Sequence, residues 1–129
     1  MAISIAARKA KGRKFQQTIA KKIGELLGIT PEKDGDIESR PMAQAGTDII
    51  LRGKALELFP FSTECKFQET WALPSWIQQA KENQKEDIPW ILFIKKSRHE
   101  PIVVLDAEHF FNLYKEVLTK RELEEEGIC

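Results

Sequence analysis

Apolar residues return at helical intervals near the start of the chain. Phe15, Ile19, Ile23, Leu26 and Leu27 fall toward one face, and the pattern stops at Gly28 with Pro31 beyond it. The spacing predicts a long amphipathic helix over residues 8 to about 27. Residues 30–47, TPEKDGDIESRPMAQAGT, hold many turn formers and no period, so they read as a surface loop. TDIIL at 47–51 has the composition of a strand, and RGK after it of a turn. In ALELFPFSTECKF (55–67) the second half reads as a strand. The first half is ambiguous, because Pro60 cannot donate to a ladder and residues 54–59 could form a helical turn.

PSWIQQAKENQKED (74–87) predicts a helix with Pro74 in its first turn. IPWILFIKK (88–96) is an almost unbroken apolar run of strand length, the pattern of a strand covered on both faces, and PIVVLD (101–106) repeats it. A last helix begins at an Asp106 N-cap and sets Phe110, Leu113, Tyr114 and Val117 on one stripe, ahead of a frayed, acidic tail over about 120–129. The order is helix, strand, strand, helix, strand, strand, helix. The expected fold is α/β, a central mixed β-sheet flanked by helices, because fully apolar strands need cover and each helix offers one apolar stripe.

Length supports this reading as one domain of 129 residues. No apolar run approaches the roughly 20 residues that span a bilayer, and no secretory signal is evident, so the expectation is a cytoplasmic protein without a membrane partner. Cys65 and Cys129 fit neither a disulfide framework nor a zinc site. The net charge is zero but unevenly spread. Arg8, Lys9, Lys11, Arg13, Lys14, Lys21 and Lys22 precede Gly24 with no acidic residue among them, whereas the end of the chain is rich in glutamate. A basic first helix suits phosphate, although a solvated helix face gives the same pattern.

One stretch resists a purely structural account. In FPFSTECKF (59–67) the carboxylate of Glu64 and the ammonium of Lys66 share one side of a strand otherwise suited to burial. Asp48 opens the preceding strand and Gln79 lies on the following helix. Two carboxylates converging at strand ends offer hard oxygen ligands for Mg²⁺ or Mn²⁺, and a nearby lysine can orient water or offset charge on a phosphoryl group. A Glu-x-Lys pair by itself is a weak signal, since a cross-strand ion pair looks the same. Here it is the only acidic-x-Lys triplet in the chain.

These residues, in GTDIIL, FPFSTECKF and WIQQAKEN, resemble the PD-(D/E)XK nuclease superfamily, within it the phage-encoded relatives of Holliday junction resolvases and RecB-type nucleases. The resemblance runs from residue 13 to about 118. It implies a restriction-endonuclease-like core and a metal-dependent DNA endonuclease, with Asp48 and Glu64 as metal ligands and Lys66 and Gln79 completing the catalytic set. It also implies DNA as partner and, for a junction-cleaving relative, a homodimer. Arg13, Lys14, Gln16, Ser39 and Arg40 are the candidate DNA contacts. The first helix carries Gln16 and Gln17 where resolvase relatives usually place a glutamate ligand. Either Glu25, Asp36 or Glu38 supplies the further ligand or only water completes the shell, and a non-catalytic DNA-binding module is the alternative reading.

Overall fold

The computed structural model describes residues 4–41, 46–85 and 87–127. The elements run α1 (Ile5–Leu27), β1 (Ile37–Ser39), β2 (Ile49–Leu51), α2 (Gly53–Leu58), β3 (Ser62–Phe67), α3 (Leu73–Asn83), β4 (Trp90–Lys95), β5 (Ile102–Leu105) and α4 (Ala107–Glu125). Ser4 caps α1 by accepting the Ala7 N–H. Gly28 ends the helix at φ 72°, a left-handed conformation that glycine adopts without a Cβ penalty. Gly24 is needed for a different reason: a Cβ there would collide with the Ile29 carbonyl oxygen, where the chain turns back under the helix.

The five strands form one mixed sheet in the order β1-β2-β3-β4-β5. Only β3 and β4 are parallel, joined by the α3 crossover. Each face of the sheet has its own core. On one, Phe15, Ile19, Ala20 and Ile23 of α1 pack with Ile37, Ile49, Leu51 and Ala55, and the side chains of Cys65, Phe67 and Phe93 lie against them. On the other, Trp76 and Ala80 of α3 cover Trp90, Leu92 and Ile94 of β4. Burial in these two cores is what fixes which way each β3 residue points.

The predicted α/β sheet flanked by helices is the observed fold. Four local expectations change. The segment read as a surface loop contains β1, whose Ile37 is fully buried. Residues 53–58 take the helical alternative, with the Asp36 carboxylate accepting the Lys54 N–H at the start of α2. The tail expected to fray is helical through Glu125. Finally, β5 is an edge strand whose Ile102 and Val103 stay exposed, and α4 buries none of its described residues. Trp90 and Trp76 are core residues, as their apolar settings suggest. Cys65 is a free thiol, while Cys129 lies outside the described residues. Among the described residues no helix is long and apolar enough to cross a membrane.

Candidate active site

Asp48, Glu64, Lys66 and Asn83 meet on the α3 side of the sheet. Residue 49 of β2 pairs antiparallel with Thr63 of β3, and this register brings the start of β2 beside Glu64. Along the parallel β3–β4 ladder, Glu64 lies beside Leu92 and Lys66 beside Ile94, both fully buried under α3. Glu64 is itself only 2% exposed. A carboxyl group at that depth needs partners. Asn83, at the C-terminal end of α3, donates to Glu64 Oε1 at 3.1 Å, and the Asp48 carboxyl hydrogen-bonds to the Glu64 carboxyl. Asp48 Oδ2 also accepts the Cys65 backbone N–H at 2.8 Å, which ties β2 to β3 directly below the carboxyl pair.

Two carboxyl groups in hydrogen-bond contact must share a proton unless a cation lies between them. Burial pushes Glu64 up to about 8, and the Asp48 charge and hydrogen bond add to the rise. Asn83 and Lys66 pull the other way. Burial also raises the Cys65 thiol well above its usual range, again reinforced by the Asp48 and Glu64 charges, so this cysteine stays a neutral thiol. Lys66 is half-buried and, among the described residues, enters no hydrogen bond or ion pair. It is an ammonium held beside a buried acid and left available.

The donor set fits a hard divalent ion. Asp48 and Glu64 supply carboxylate oxygens, and the proton they share in its absence marks where positive charge is wanted. Among the described residues no group of three or more acidic, histidine or cysteine side chains is placed to hold a metal, so water and phosphate oxygens would fill the remaining positions. Of the three residues considered as a further ligand, Asp36 caps α2, Glu38 pairs with Arg52 at 2.8 Å, and Glu25 is exposed on α1.

Gln16 has a different task from any ligand. It is buried, and its Nε2 lies 2.7 Å from Ser39 Oγ, 2.7 Å from the Arg40 carbonyl and 2.8 Å from the Asp48 carbonyl. Those two carbonyls can only accept, so the position demands a donor. An amide satisfies it and a carboxylate cannot. Gln16 thus clamps the end of β1 and the entry to β2 onto α1, behind Asp48, and is not accessible to DNA. Arg40 is likewise engaged, its Nε donating to the Thr47 carbonyl at 2.6 Å. Ser39 closes β1. Arg13 and Lys14 are exposed on α1.

Gln79 is exposed on α3, while Asn83, one turn further, makes the contact with Glu64. The sequence did hold a signal for this. Trp76, Ala80 and Asn83 lie at i, i+4 and i+7, so a polar residue ends the stripe that faces the sheet.

A search of curated proteins returns no match, and a search of solved structures returns none. A family model described as "Phage putative PDDEXK endonuclease" matches residues 7–126, from the first helix through the last. The order of strands, the Asp48 and Glu-x-Lys placement and this match agree: the chain belongs to that family of phage PD-(D/E)XK endonucleases.

Proposed function

We propose that the chain hydrolyses phosphodiester bonds of DNA at the site formed by Asp48, Glu64 and Lys66, with Mg²⁺ or Mn²⁺ held by the two carboxylates. The observation that carries this reading is the buried Glu64 carboxyl paired with the half-buried Asp48, with an uncommitted lysine two residues along the Glu64 strand. A divalent ion bound there would polarise the phosphoryl group and lower the pKa of bound water. The remaining work falls to the protein. Asp48 is oriented by the Cys65 N–H and, through its own carbonyl, by Gln16. Glu64 is oriented by Asn83. Lys66 orients the attacking water and balances charge on the phosphoryl oxygens as a P–O bond to water forms and the P–O bond to the sugar oxygen breaks. Gln79, exposed on α3 one turn before Asn83, would support a bound strand and not the metal ligands.

The exposed Arg13 and Lys14, within the basic α1, suit contacts with the sugar-phosphate backbone, and Ser39 and Arg40, held by Gln16, are the further candidates. A branched substrate would be served by a two-fold dimer, since its strands are pseudo-symmetric. For a phage protein the setting would be the host cytoplasm. The missing first-helix glutamate favours a non-catalytic DNA-binding module only if that position is a ligand site, and the two carbonyls facing Gln16 argue that it is not.

The test incubates purified protein with linear, flapped and four-way DNA in Mg²⁺ or EDTA, beside Glu64→Ala and Lys66→Ala. Cleavage by the wild type alone, abolished by EDTA, is expected. Equal cleavage by all three proteins removes the assignment, and salt-dependent binding without cleavage by any of them selects the binding-module reading. Comparison among the three substrates decides branch preference.

A further inference from the structure

Where β3 and β4 leave the sheet, ammonium groups gather from separate elements. Lys95 lies beside Phe67 in the parallel ladder, one step past the pairing of Lys66 with Ile94. On the α1 side, Lys95 Nζ stands 5.5 Å from the centre of the Phe67 ring, and Lys11 Nζ, reaching over from α1, stands 5.8 Å from it. On the opposite face Trp71 packs against the α3 core, and Lys96 Nζ lies 5.8 Å from its ring.

These ammonium groups are held but not neutralised. Lys11 donates to the Ser97 hydroxyl at 3.3 Å, and Lys95 donates to the Lys96 and His99 carbonyls at 3.1 and 2.8 Å. The indole under Lys96 is itself fixed, its N–H donating to the Gln68 carbonyl at 3.0 Å. Among the described residues none of the three lysines forms an ion pair. Glu69 accepts the Ser97 N–H at 3.0 Å, and the hydrogen bonds from Ser97, helped by the Lys11 and Lys96 charges, hold it below the usual carboxylate range. It is one carboxylate against three cations. Arg98 and Glu100, both exposed in the same turn, offset each other. Like charges gathered in this way repel one another in the free protein and are complementary to a polyanion.

We infer that Lys11, Lys95 and Lys96 are phosphate contacts that carry a DNA strand from the reacting group at Lys66 around the end of the sheet. The inference rests on the DNA-cleaving reading of the Asp48 and Glu64 site and names the path its substrate takes. Continuity with that site is the main support. Lys96 is two positions beyond Ile94, the ladder partner of Lys66, so the two lysines share a face of the sheet. At ~3.3 Å per residue and ~4.8 Å between strands, their backbones are about 8 Å apart, close enough for successive phosphates of one strand to reach both. Lys11 continues the track onto α1, where the exposed Lys14 lies one turn further. The anchoring adds to the case, because side chains already fixed by hydrogen bonds and rings lose less freedom on binding. Phe67 and Trp71 serve here to hold cations, so the surface reads the backbone and not the base sequence.

Anisotropy of a fluorescent duplex bound to the full chain, measured in EDTA across a salt series, tests the surface. Glutamine removes the charge and keeps a donor and most of the stem. The triple variant Lys11→Gln, Lys95→Gln, Lys96→Gln is expected to keep the wild-type circular dichroism. Its slope of log K against log salt should be shallower by about 3, and its Kd at about 0.1 M salt at least ~100-fold higher. Arginine at the same three positions should keep the slope. Lys96→Gln alone touches no hydrogen bond among the described residues and should make the slope shallower by about 1, so the test does not depend on the triple variant folding. Lys115→Gln, Lys120→Gln, Arg121→Gln removes as many charges from α4 and should leave the slope unchanged. A wild-type slope in Lys96→Gln and in the first triple variant overturns the inference. So does an equal loss in the two triple variants, or a wild type that binds DNA without salt dependence. Because binding is read without metal, a chain that binds in this way and cuts nothing loses the nuclease assignment and not this surface.

Discussion

Replacing Glu64 by glutamine tests the buried acid of the carboxyl pair without asking for catalysis. In the metal-free protein the folded state holds a proton on Glu64 up to about pH 8, whereas the ordinary value for the unfolded chain is 4.5. The folded pKa is the higher one, so the associated stability is fully present below pH 4.5 and is lost as pH rises toward 8, where the buried acid must ionise beside Asp48. At about 1.4 kcal/mol per pH unit, the span from 4.5 to about 8 sets an upper bound near 5 kcal/mol. Relaxation and water entry around a buried charge reduce this to roughly 2–3 kcal/mol. For a chain of 129 residues that corresponds to a fall in Tm on the order of 10 °C between pH 5.5 and 8.5.

Glu64→Gln keeps the shape, carries no proton to lose, and can still accept from Asn83. Thermal and urea unfolding in EDTA at a series of pH values should therefore give a falling curve for the wild type and a flatter one for the variant, the two converging near pH 5. Added Mg²⁺ at pH 8 should recover the wild type and leave the variant unmoved, since an ion that binds only the folded carboxylates adds about 2.7 kcal/mol at a hundred times its Kd. Parallel pH curves for the two proteins would refute the reasoning, because the penalty would then lie in groups other than this pair.

Two further outcomes follow from the same geometry. Gln16→Glu should destabilise the fold by about 3 kcal/mol, more than Gln16→Ala in urea unfolding, because it turns a buried charge toward the Arg40 and Asp48 carbonyls; a more stable Glu variant would reopen the ligand reading of that position. Asn83→Ala should weaken Mn²⁺ binding about tenfold by freeing Glu64, and Gln79→Ala should change it far less, both measured by calorimetry.

The sequence by itself determined the elements whose residues agree with one another at short range. The period of Phe15, Ile19 and Ile23 with Gly28 beyond gives α1, and Asp106 caps α4 through the Glu108 and His109 N–H groups as its position implies. It also supplied Asp48, Glu64 and Lys66, since alternation along a strand places Glu64 and Lys66 on one side without knowledge of the fold. Three things were decided only by tertiary structure, and each depends on what the chain meets at long range. Ile37 lies in a stretch with loop composition and becomes β1 because its partner Leu51 and the α1 core bury it. Gln16 looks like a surface or ligand residue until two carbonyls more than twenty positions away face its amide. The apolar runs of β5 and α4 read as core because periodicity reports that a face is greasy, not what covers it. Only the packing of the helices and strands against one another shows that, among the described residues, nothing covers Ile102, Val103 and the apolar positions of α4.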